Sequence, residues 1–112
     1  MLSIDALKEF GADTEAGLVR CMGSEQFYLR MVGMMLKDAS FDRLFDAVEK
    51  ADVKEGFEAA HALKGSLGNL ELTPLYDPIC QLTEVFRAGE QADPALVEQI
   101  RDALQKLREL SE

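Results

Sequence analysis

A chain of 112 residues with 47% hydrophobic and 29% charged side chains has the length and balance of one folded domain. It is too apolar for a disordered segment and long enough for one modest core. The formal net charge of -9 repels phosphate backbones and anionic lipid alike, which argues against nucleic-acid binding and membrane association.

The N-terminus, Met1-Leu2-Ser3-Ile4-Asp5, lacks the basic start and apolar stretch of a secretory signal, and no apolar run approaches a bilayer span. A short first helix is predicted over Ser3 to Phe10, stopped by Gly11. Asp13-Thr14-Glu15 offers a cap for a second helix, which runs toward Cys21 and ends near Gly23. Ser24 caps the next segment, where Phe27, Met31, Met34 and Met35 fall at helical spacing. Such a methionine stripe is more often core filler than a soft docking surface. Beyond Lys37-Asp38, Phe41, Leu44, Phe45 and Val48 share a face, and the periodicity leaves open whether these two pieces are one bent helix or two. Asp52 opens a long helix to about Leu72. Thr73-Pro74 fits an N-cap with proline at the first helical position. Pro78 lacks a helical donor, so this helix either starts near Asp77 or is irregular in its first turn. It continues through Leu82 and Phe86 to Gly89. Asp93-Pro94 repeats the cap-and-proline signature, and the last helix buries Leu96 or Val97, then Ile100, Leu104, Leu107 and Leu110. Amphipathic helices joined by short turns, with no alternating strand pattern, repeat or linker, predict one all-α domain over residues 1–112. The expected architecture is an antiparallel four-helix bundle with short N-terminal helices packed on it. Cys21 and Cys80 belong to no CxxC pair and read as two reduced thiols, which makes the cytoplasm the expected location.

His61 is the only histidine, within Ala59-Ala60-His61-Ala62-Leu63-Lys64-Gly65-Ser66-Leu67-Gly68-Asn69-Leu70. On a helix, Phe57, Ala60, Leu63, Leu67 and Leu70 form one broad core stripe. His61, Gly65 and Gly68 form a second, about a third of a turn away. Each mid-helix glycine costs about 0.5–1 kcal/mol relative to alanine, so two beside a histidine call for a reason. Close approach of another protein to the imidazole is one. Lys64, at i+3, lies on the same flank and can stabilise negative charge placed on the ring. A neutral imidazole is a competent nucleophile near neutral pH.

The run His61-Ala62-Leu63-Lys64-Gly65-Ser66, followed by Gly68-Asn69-Leu70, resembles the H-x-L-K-G-S signature of histidine-containing phosphotransfer (HPt) domains. A similar motif occurs in the amino-terminal domain of chemotaxis histidine kinases. Gly11-Ala12-Asp13 through Arg20-Cys21-Met22-Gly23-Ser24-Glu25-Gln26-Phe27-Tyr28 resembles the opening of free-standing HPt proteins. Cys80-Gln81-Leu82-Thr83-Glu84, ahead of Arg87-Ala88-Gly89, resembles their helix after the histidine. The resemblance implies a carrier and not an enzyme. His61 would take a phosphoryl group from the aspartyl phosphate of a response-regulator receiver domain and pass it to another receiver, with a hybrid histidine kinase as a further partner. Lys64 would stabilise the charge, while Gly65 and Gly68 would leave room for docking. The Mg²⁺ that assists transfer belongs to the receiver, so no metal or cofactor is expected here. Two positions depart from the family pattern: Glu71 stands where glycine is usual, and Pro78 is unexpected in its helix.

Other readings weigh less. No second histidine or cysteine lies at i+3 or i+4 to complete a metal site. No spacing brings Cys21 or Cys80 to His61 for cysteine–histidine catalysis, and Glu55, Glu58 and Glu71 read as solvated helix surface. A helical adaptor that binds a receiver without being phosphorylated is the main alternative, and a fragment of a kinase that carries its own HPt-like domain is another. The chain reads more like an independent protein, and as a monomer. Its docking surface is expected to draw on the Phe27–Leu36 and Phe41–Val48 segments.

Overall fold

Seven helices follow one another in a computed structural model that describes residues 1–112. They are α1 (Ile4–Phe10), α2 (Thr14–Arg20), α3 (Glu25–Leu36), α4 (Ser40–Glu49), α5 (Val53–Asn69), α6 (Thr73–Arg87) and α7 (Pro94–Leu110). Most begin where the sequence supplies a short polar side chain. Ser3, Asp13, Ser24, Asp52 and Asp93 each accept a hydrogen bond from a first-turn backbone N–H. Each such cap contributes about 1 kcal/mol.

The chain is an all-helical bundle, the class its periodicity predicts. Helix α5 packs between α4 and α6, α6 packs on α7, and α1 lies against α7 and α2. One continuous core fills the space between them, with Tyr28, Phe41, Leu44, Leu63, Leu67, Leu75, Ile79, Ile100 and Leu107 fully buried. No helix is long and apolar enough to cross a membrane. Cys21 is buried, Cys80 half-buried, and both are free thiols.

The question left open between the methionine stripe and Phe41 resolves as two helices. Helix α3 ends at Leu36, and α4 restarts at Ser40, where the Asp38 carboxylate accepts from the Ser40 N–H at 2.7 Å. The stripe itself divides: Met35 is buried, Met31 half-buried, and Met34 is 60% exposed. In α7 it is Val97 that is buried, while Leu96 and Leu110 are half-buried.

The start of α6 corrects the expected cap. Leu72, not Thr73, is the N-cap, with no side-chain hydrogen bond, and Pro74 falls one position later than predicted. Leu72 is fully buried, and burial of that side chain sets where the chain turns. Its carbonyl accepts from the N–H groups of Leu75 and Tyr76, which closes the first turn. Helix α6 runs unbroken from Thr73 through Pro78. The donor Pro78 lacks would have faced the Pro74 carbonyl, within the first turns of the helix. The buried Pro78 ring adds apolar packing there.

Candidate functional site

Helix α5 carries the central residues, and its inner face is held by Ala59, Ala60, Leu63 and Leu67, all buried. That anchoring sends His61 outward, and its imidazole is exposed. Phe57 lies at the edge of the core stripe, packed against the core. It is half-buried and stacks on His61, with ring centroids 5.6 Å apart and planes 19° from parallel. The Arg87 guanidinium lies over the other part of this assembly, 5.0 Å from the Phe57 centroid. Phe57 is one turn before His61, so the stack limits the directions the imidazole can take. Arg87 also bonds Glu84 at 2.8 Å, and that bond, reinforced by Lys64, holds the Glu84 carboxyl below its ordinary range.

On the other flank His61 opens onto a concavity of about 470 Å³ lined by Arg20, Lys64, Gly65, Gly68, Asn69, Glu71 and Tyr76. His61, Lys64, Gly65 and Gly68 are thus brought together as their spacing predicts. The two glycines differ, however. A methyl group on Gly65 would meet nothing within 4 Å, so the surface there is open. A methyl on Gly68 would lie 2.9 Å from the Tyr76 ring. Gly68 is therefore small because α6 lays an aromatic ring across it, a reason internal to the fold. The Cys80 thiol beside the Tyr76 hydroxyl holds that phenol above its ordinary range.

Three residues of the concavity that lie outside the motif around His61 escaped the sequence reading as members of a site. Arg20 ends α2, and its Nε donates to Glu71 Oε1 at 2.9 Å across 51 positions of sequence. Tyr76 comes from α6. Glu71, solvated surface by its sequence pattern, lies in the turn between α5 and α6 and faces the same space as His61. A signal for Glu71 was present in its departure from the family's glycine. Its φ is 56°, in the left-handed region where glycine is unstrained. Arg20 and Tyr76 gave no local signal, because only tertiary packing brings them to α5.

The turn is fastened from behind. The Tyr28 hydroxyl, fully buried, donates to the Leu70 carbonyl at 2.8 Å. The Asp13 N–H donates to the Glu71 carbonyl at 3.1 Å. Burial pushes the Tyr28 phenol up to about 12, and the charges of Cys21, Glu71 and Asp13 add to the effect.

A second, more apolar hollow of about 270 Å³ adjoins the first at Asn69, lined by Met31, Met34, Met35, Asp38, Ser66 and Leu70. Nowhere do three or more histidine, cysteine, aspartate or glutamate side chains cluster as a metal site would require.

Chemically, the arrangement is an exposed imidazole beside cationic groups in a protein that is otherwise strongly acidic. No curated protein and no solved structure matches the chain significantly. A family model does match, over residues 30–110, and it is that of the Hpt domain. It spans the histidine helix and both of its neighbours, so the chain belongs to the Hpt domain family, the helical domains of phosphorelay signalling.

Proposed function

We propose that this chain is a phosphocarrier that accepts a phosphoryl group on His61 from a receiver's aspartyl phosphate and hands it to a second receiver. The unprotonated imidazole nitrogen attacks phosphorus, an N–P bond forms, and the P–O bond to the aspartyl carboxyl breaks. The carboxylate leaves with the bonding pair, and the ring's surplus proton goes to water. Onward transfer is the reverse step on a different carboxylate. Lys64 shares the concavity with His61 and would hold the phosphoryl oxygens. The chain supplies no kinase or phosphatase machinery in this reading, and needs no metal or cofactor of its own. It acts in the cytoplasm as a monomer, between response regulators, with a hybrid histidine kinase as a further candidate donor.

The observation that carries the reading is the setting of His61. The sole imidazole is exposed, stacked on Phe57 and flanked by Lys64, and its approach over Gly65 is clear of side chains. The methionine-lined hollow beside it, with Met34 60% exposed, and the 41% exposed Phe27 on the same helix support docking of an apolar helix face of a receiver. That surface draws on the Phe27–Leu36 segment.

Transfer of label from a phosphorylated receiver tests the proposal. Acid-labile label is expected on the wild type and none on His61→Gln. A folded wild-type protein that binds receivers but takes label from none of its cell's receivers would leave an adaptor instead.

A further inference from the structure

The ion pair between Arg20 and Glu71 occupies the His61 concavity at a cost to the backbone. Glu71 holds φ at 56°, a conformation in which an L side chain is strained and glycine is not. A turn that merely had to reverse direction would do better with glycine. The carboxylate gained in exchange reaches Arg20, whose residue lies outside the matched segment 30–110. As a stability device the pair is weak, because the side chains are 54% and 25% exposed and solvent screens them. Met22 and Ala51 hold the same left-handed conformation away from the concavity, so the strain alone assigns no chemical use. The charges supply one: Arg20 and Lys64 face the histidine's concavity against the single carboxylate of Glu71.

We propose that Arg20 is a second phosphoryl-binding cation, held beside His61 by Glu71, and that it exchanges the Glu71 carboxylate for phosphoryl oxygens when His61 is phosphorylated. The inference rests on His61 being the phosphoacceptor. A guanidinium presents a planar fork that matches two phosphoryl oxygens. A phosphoryl group carries nearly two negative charges against one on the carboxylate, which favours the exchange. Glu71 then stands as a like charge beside the phosphoryl group and favours its departure. Arg20 thus stabilises the loaded state, and Glu71 positions Arg20 while limiting that stabilisation.

The test uses the full chain with phosphoramidate, a small anionic donor that needs no receiver. The imidazole nitrogen attacks phosphorus, the P–N bond to ammonia breaks, and ammonia leaves with that bonding pair. Phosphohistidine is followed by phosphorus NMR. Removing one charge near the phosphoryl group should change the initial rate by about three- to tenfold. Arg20→Ala is expected to slow phosphorylation by that factor, with Arg20→Lys intermediate. Glu71→Gln, which keeps an acceptor for Arg20 but loses the charge, is expected to speed it. Both variants weaken the same bridge, so a merely structural pair would move them in the same direction. Equal rates, or shifts of the same sign, with phosphohistidine still forming, would overturn this inference and leave the carrier reading intact. Absence of phosphohistidine on the wild type would remove the carrier reading and this inference with it. Arg20→Lys and Glu71→Gln keep the test decisive if Arg20→Ala fails to fold.

Discussion

At the scale of single residues, Gly65 and Gly68 look alike in the sequence and differ in what surrounds them. Gly65→Ala adds a methyl into open space and should stabilise α5 by about 0.5–1 kcal/mol, the ordinary gain of alanine over glycine in a helix. On the proposed reading the same methyl would stand on the strip a receiver approaches, so transfer from a receiver should fall while the melting temperature rises. Gly68→Ala places its methyl 2.9 Å from the Tyr76 ring and should lose that helix gain to displacement of the ring. Adding Tyr76→Ala should restore it, which thermal melts of the single and double variants will show. His61, Lys64 and Gly65 were legible from sequence because one helix carries all three and a period of 3.6 residues places them. The reason for Gly68 was not, since it resides in a ring that α6 contributes.

At the scale of elements, glycines make room for aromatic rings from neighbouring helices. A methyl on Gly56 would meet the Phe86 ring at 2.8 Å, and one on Gly17 would meet the Tyr28 ring at 2.5 Å. Both positions are buried, so either alanine variant should destabilise by about 1–3 kcal/mol through overpacking, read from denaturant midpoints. Tyr28 also ties α3 to the turn after α5 through the Leu70 carbonyl. Tyr28→Phe leaves that buried acceptor short of its donor and should cost about 1–2 kcal/mol. The raised phenol adds a pH signature. The folded state holds the proton more tightly than an unfolded phenol near 10.0. This contribution is therefore complete below pH 10 and falls as pH climbs toward about 12, by about 1.4 kcal/mol per unit within that window. Alkaline titration of unfolding free energy should show this slope in the wild type and lose it in Tyr28→Phe. The helices themselves were readable from caps and apolar spacing, as at Ser24, Asp52 and Asp93. The start of α6 was misplaced because a threonine before proline gives a strong local cap signal. Burial of Leu72, a demand of the whole core, overrode it.

At the scale of the whole molecule, a net charge of -9 surrounds a concavity that presents Arg20 and Lys64. Added salt screens both effects, with opposite results. The melting temperature should rise with ionic strength as self-repulsion weakens, while phosphorylation by an anionic donor should slow. Calorimetry and the phosphoramidate rate, measured on the same salt series, check the pair of trends. Arg20, Asp13 and Tyr28, which hold the turn at Leu70 and Glu71, all precede the segment 30–110 that marks the family. The histidine helix and the collar around its end therefore come from different stretches of the chain. On the reading proposed above, substitution of Arg20 would change how tightly a phosphoryl group is kept while the methionine-lined hollow stays as it is. If His61 is the phosphoacceptor, two such proteins would serve the same receiver and differ only in how long they remember a signal.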